Sequence, residues 1–190
     1  MYGNRAAASS RVRVHGVEGA VPRGYRCGFL LYTGASLRDA DWSRVDERRL
    51  DIVPRCLQAI YCHGPSGGLD AYTIIYGGGY MMVLEGVECS VSEKPLRRLL
   101  SSLEPVGFVG YRELLEAASA AGYRPVLLLE RGEPWPPPPG RRLYIIGTSI
   151  DPPVTGLEHV ASLGPRSYLA SQVAAYIALW ERGVLRGDEG

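Results

Sequence analysis

Lysine is almost missing from this chain. Lys94 stands alone, so 20 of the 21 basic residues are arginine, and with 20 acidic residues the net charge is +1. That balance excludes the globally basic signature of a protein held to nucleic acid by bulk charge. Arginine does offer planar, bidentate recognition of phosphate. GC-rich coding or a hot habitat produces the same bias, so composition alone does not choose between these sources. No run of 18 apolar residues occurs, which argues against a membrane-spanning helix. The first two dozen residues include Arg5, Arg11, Arg13 and Arg23 but lack the apolar core of a secretory signal. The expectation is a cytoplasmic protein. Cys-x-x-Cys pairs are also absent. Cys56, Cys62 and His63 lie close together, but no second ligand pair stands at zinc-site spacing, so buried thiols and no metal are expected of Cys27, Cys56, Cys62 and Cys89.

What is present suits one domain, since 190 residues can bury a sizeable core. Residues 1–24 are rich in Ala, Ser, Gly and Arg without apolar periodicity. They read as a flexible basic arm, or as an extra strand if Val12, Val14 and Val17 find a partner. Residues 25–190 form the domain. Tyr25 to Thr33 is a strand candidate. A helix is expected to start near Asp51, because Asp51 can cap it and Pro54 then falls in the first turn, where a missing donor is tolerated. Ala71 to Tyr76 and Tyr80 to Glu85 read as strands joined by the Gly77-Gly78-Gly79 turn. Ser92 can cap a helix with Leu96, Leu99, Leu100 and Leu103 on one face and Arg97 and Arg98 turned away. Tyr111 to Ala121 is a helix closed by Gly122. Arg124 to Glu130 is a continuous apolar strand, Gly132 to Gly140 a stiff proline-rich loop, and Arg142 to Gly147 a further strand. The order implies an α/β fold with a mostly parallel sheet and helices on both faces.

The most informative stretch runs from Leu157 to Gln172. A short apolar segment reaches Ser162-Leu163-Gly164, and Gly164-Pro165 is expected to open a helix that ends near Trp180. Unbonded N–H groups would then gather beside a glycine that permits close approach of a ligand. Within the helix, Leu169, Val173, Tyr176, Ile177 and Trp180 form the expected core-facing stripe. Ala170, Ala174 and Ala178 form a second, small-residue row suited to a subunit contact or to packing on the chain's own sheet.

This stretch, S-L-G-P-R-S-Y-L-A-S-Q, together with Arg49-x-Asp51-x-x-x-Arg55-Cys56, resembles the archaeal tRNA pseudouridine(54) N1-methyltransferases of the SPOUT class, loosely from Phe29 to about Glu181. The resemblance implies a C-terminal trefoil knot, a homodimer, and S-adenosyl-L-methionine held largely by backbone groups of the loops after successive strands. The matching positions are Leu128 and its neighbours in V-L-L-L-E-R-G, Gly147, Ser162, Leu163, Gly164, Pro165, Arg166 and Ser167, with Val173 on the following helix. It further implies that Arg49 and Arg55 grip RNA phosphates, and that Asp51 accepts the N1 proton of pseudouridine or orients that base. The implied function is methylation of N1 of pseudouridine 54 in the tRNA T loop. A catalytically inactive or retargeted SPOUT-like RNA-binding dimer is the alternative.

Overall fold

A computed structural model describes residues 19–44 and 49–185. The expected N-terminal arm therefore falls almost wholly outside the described residues, as do Val12, Val14 and Val17. Seven strands form one sheet: β1 (Cys27–Tyr32), β2 (Ala71–Gly77), β3 (Tyr80–Leu84), β4 (Val106–Gly107), β5 (Arg124–Pro134), β6 (Arg142–Gly147) and β7 (His159–Ser162). Their spatial order is β4-β3-β2-β1-β6-β5-β7, and only β3 pairs antiparallel to its neighbours. The helices are α1 (Ile52–His63), α2 (Lys94–Ser102), α3 (Tyr111–Ala120) and α4 (Ala170–Glu181).

The buried strand runs predict a sheet covered on both faces, and alternation along β1 shows it. Cys27, Phe29 and Leu31 point into a core shared with α1, α2 and α4, whereas Leu30 points into a second core shared with α3. Both free thiols, on Cys27 and Cys56, are buried in the first core. Cys62 and Cys89 correct the expectation of buried thiols: they form a disulfide that ties the end of α1 to the segment after β3. Chain folding brings together two cysteines 27 residues apart, which spacing alone could not foretell.

Three local expectations are corrected. First, α4 begins at Ala170 rather than at Gly164-Pro165. Gly164 has φ of 150° and its N–H donates to the Ser162 Oγ (3.2 Å), making a turn instead of a helix start. The side chain of Gln172 accepts the Leu169 N–H (3.2 Å), which sets the helix start later. Second, the core face of α4 is only partly the expected stripe: Ile177 is buried and Val173 packs against the core, but the alanine row shares that face. Ala174 and Ala178 are fully buried with Ile177, and the Ala row lets α4 approach α1 closely, while Leu169 and Tyr176 are exposed. Small residues win the core because the space between two packed helices is narrow. Third, Asp51 precedes α1 and Glu93 precedes α2, but neither side chain caps its helix, and Ser92 does not cap α2. In addition, β5 runs to Pro134, into the segment expected to be a loop.

The far end of α4 is pinned by charge. Glu181 is buried, and its carboxylate accepts from Arg142 (2.9 Å), from the Tyr144 hydroxyl and from Arg26 (3.3 Å). Arg142 also donates to the carbonyls of Pro138 (2.9 Å) and Pro137 (3.3 Å), which satisfies part of the proline run. Burial and the neighbouring Glu181 carboxylate push the Tyr144 hydroxyl far above its ordinary pKa.

Glu181→Ala leaves the Arg142 guanidinium buried without its carboxylate and should cost about 3–5 kcal/mol in urea unfolding; a loss under about 1 kcal/mol would show that the pair does not hold the helix. Burial pushes the Cys56 thiol from its ordinary 9.0 up to about 12. Mass spectrometry after iodoacetamide treatment of the native protein at about pH 8 should find Cys27 and Cys56 unmodified. Since the folded thiol ionises later than the unfolded one, the stability that Cys56 contributes is complete below pH 9 and declines as pH rises towards 12.

Candidate functional site

The turns that follow β5, β6 and β7 meet at the C-terminal edge of the parallel strands, the edge where open α/β sheets place their ligands. Each turn has a local cause. Pairing of β5 with β7 is interrupted between Leu128 and Glu133, since both lie opposite Ala161. The intervening residues bulge outwards, and Gly132 permits this because a Cβ there would lie 2.6 Å from the Ala161 backbone. Ser162 Oγ lies 2.9 Å from the Glu130 carbonyl and so ties the bulge to the end of β7. After β6 the chain folds back tightly: a Cβ on Gly147 would lie 2.3 Å from the Ile150 carbonyl oxygen, so only glycine fits. Thr148 then donates from its N–H to the Tyr32 carbonyl (2.8 Å), joining this turn to the end of β1. Farther along the β6–β7 connection, the Glu158 carboxylate accepts the Thr155 N–H (2.6 Å) and hydroxyl.

One cleft results. Its walls include Leu128, Gly147, Leu163, Gly164, Arg166, Ser167 and Val173, seven of the nine residues expected there. The other two stand elsewhere. Ser162 is buried just behind the wall, where it braces Glu130 and Gly164, and Pro165 is exposed on the outside of the turn. Leu129 and Glu130, the expected neighbours of Leu128, also line it, as do Ile146, Asp151, Tyr168 and Ala170, which the expectation did not single out. Asp151 was the most accessible of these to sequence reading, because it stands four residues after a strand-ending glycine. Chemically the cleft is mixed: aliphatic side chains from β5, β6 and α4 oppose two acidic residues, one arginine, one serine hydroxyl and strand-end backbone groups.

A second cleft adjoins the first and shares Gly147, Asp151, Ser167, Tyr168 and Ala170 with it. Arg49, Ile52 and Arg55 form its far wall. The structure thus brings the start of α1 and the start of α4 to one place, although 115 residues separate Arg55 from Ala170 in sequence. Arg49 adopts a φ of 54°, the left-handed region that a long side chain occupies only at a cost.

Asp51 is 2% exposed and is not part of either cleft wall. Its two oxygens pair with Arg49 Nε (3.3 Å) and with Arg55 (3.5 Å). Arg55 also reaches Glu93 (3.1 Å), which pairs with Arg97 (2.9 Å), and Arg97 donates to the Trp42 carbonyl (2.7 Å). The carboxylate expected to meet a substrate proton therefore lies behind the two arginines, both about half exposed, and holds them from below. Among the described residues no group of three or more His, Cys, Asp or Glu side chains is placed to hold a metal ion.

No protein-family model matches the chain, and no curated protein matches it in sequence. Among solved structures, it is similar to a crystal structure of Archaeoglobus fulgidus Nep1 bound to S-adenosylhomocysteine. The match covers 84% of this chain and 98% of that one, with a TM-score of 0.57 and 14% identity, so what the two share is the fold.

Proposed function

We propose that this chain is an S-adenosyl-L-methionine-dependent RNA methyltransferase of the SPOUT class, and that its target is N1 of pseudouridine 54 in the tRNA T loop. One observation carries the reading: the strand-end cleft opens directly into the cleft walled by Arg49 and Arg55. The fold shared with a protein crystallised with S-adenosylhomocysteine supports it. The donor set suits that cofactor. Leu128, Ile146, Leu163 and Val173 provide apolar surface for an adenine, Glu130 and Asp151 can accept from a ribose diol or attract a sulfonium by charge, and Arg166 can pair with a carboxylate.

When bound, S-adenosyl-L-methionine supplies an electrophilic methyl group on its sulfonium. The chain's residues then have to position and screen rather than react. Arg49 and Arg55 grip phosphates around the presented nucleotide, and the N1 proton leaves through the open mouth of the cleft to water. Asp51 acts as a positioning residue that keeps both guanidiniums aimed. Alignment alone can lower such a barrier by up to about 7–11 kcal/mol.

The same reading carries a trefoil knot through the last third of the chain, and a homodimer formed on the outer face of α4, where Leu169 and Tyr176 are exposed. Residues 1–24 are assigned as an accessory basic arm and residues 25–190 as the methyltransferase domain. The location assigned with this reading is the cytoplasm.

Calorimetry should detect S-adenosyl-L-methionine binding to the full chain, and Leu163→Trp, which fills the cleft, should weaken it at least about 10-fold. Mass spectrometry of treated archaeal tRNA should then find a methylated pseudouridine; no cofactor binding at millimolar concentration overturns the assignment. With about six phosphate contacts, tRNA affinity should fall around 10³-fold between roughly 50 and 200 mM salt. Arg55→Ala should flatten the salt slope by about 0.7–0.9, and an unchanged slope would remove Arg55 from the RNA contact.

A further inference from the structure

Phe108 combines two features that packing does not explain. Its side chain is 95% exposed, and its backbone is held at φ 61°, a left-handed conformation that a bulky residue rarely adopts. Strain of this sort is ordinarily offset by buried contacts, and here the ring has almost none. Neighbouring Tyr80 has a structural purpose, since its ring lies across Gly107 and covers the short edge strand β4. The Phe108 ring stands beside it with centroids 6.2 Å apart, so the two present a small aromatic shelf to solvent.

The shelf lies on the same edge of the sheet as the two clefts. Strands β1, β2 and β6 end there, β3 begins there, and β4 ends there at Gly107. From β6 to β4 is four inter-strand spacings, about 19 Å at about 4.8 Å each. A continuous rim joins the two places. Ser149, on the wall of the arginine cleft, accepts the Gly34 N–H (3.1 Å). Ser36 packs against Gly78, and Gly79 accepts the Val109 N–H (2.9 Å), the bond that seats Phe108. Exposed Arg38 follows Ser36 on this rim.

We infer that Phe108, backed by Tyr80, is a stacking platform for an unpaired base of the RNA strand whose target nucleotide enters the Arg49–Arg55 cleft. Single-stranded loops are recognised through splayed bases on aromatic side chains, with arginines tracking the phosphates between them. A left-handed backbone turns the ring outwards and keeps it from collapsing on its own sheet. The inference rests on the RNA-methyltransferase reading and adds to it a base contact outside both clefts.

The test uses the full chain and an RNA hairpin carrying 2-aminopurine in its single-stranded loop. Phe108→Gly should weaken hairpin binding about 5- to 100-fold and abolish quenching of the 2-aminopurine. Its thermal midpoint should stay level or rise, because glycine accepts the left-handed backbone without strain. Phe108→Trp should restore binding and quenching. Val184→Ser, an equally conservative loss of exposed apolar surface beyond the end of α4, should change neither. If Phe108→Gly binds as tightly as the parent while Arg55→Ala is weakened, the platform is wrong and the RNA reading stands. An equal loss in Val184→Ser also overturns the platform. If the parent chain itself fails to bind the hairpin or tRNA, the RNA reading falls and takes the inference with it.

Discussion

The anchoring of α4 at its two ends is the constraint on which the rest depends. At its C-terminal end a buried carboxylate, Glu181, is shared by Arg142, Tyr144 and Arg26, tying the helix to the beginnings of β1 and β6. Along its length the alanine row lies against α1. A buried ion pair of this kind adds little net stability compared with an apolar substitute, but it permits only one seating, since any shift leaves a charge unpaired in the core. With the helix seated, the segment from Leu163 to Leu169 has to bridge β7 and Ala170 across the C-terminal edge of the sheet, and that bridge is one wall of the cleft.

A second set of charges operates at the opposite edge with a different result. Asp51 and Glu93 each stand just before a helix, where a carboxylate would ordinarily complement the unbonded N–H groups. Both turn instead to arginines, and the chain Arg49–Asp51–Arg55–Glu93–Arg97 runs to the Trp42 carbonyl. Two guanidiniums are thereby held half exposed over a cleft instead of sweeping freely through solvent. Preorganised cations of this type lose less entropy when they meet a phosphate. Left-handed Arg49 and Phe108 occur on the same edge, and strained residues of this kind commonly gather at functional sites.

Much of the architecture was legible because it follows from period and punctuation. Buried strand runs at 27–32, 71–77 and 142–147, the glycine turn at 77–79 and the helix after Asp51 are all local signals. Seven of the nine residues expected to gather around a ligand line one cleft, because six stand at strand ends or in the turn after β7, strand ends share an edge in a parallel sheet, and Val173 lies in the first turn of the helix that follows. The failures also have physical causes. Gly164-Pro165 has the chemistry of a helix start, but the Ser162 hydroxyl captured the glycine N–H and made a turn of it. Of the apolar stripe of α4, Ile177 is buried and Val173 packs against the core, yet Leu169 and Tyr176 are exposed and Ala174 and Ala178 fill the space beside α1.

The sequence by itself determined most of the strands and helices, the glycine turn between β2 and β3, and which arginines stand near the start of α1, since each depends on neighbours within a few positions. Only the tertiary structure decided which face of α4 is buried, that Cys62 meets Cys89, that Glu181 is shared by three donors, and that Asp51 supports the arginines from behind. Those outcomes depend on groups tens of residues apart competing for the same space and the same hydrogen bonds, and local pattern carries no record of that competition.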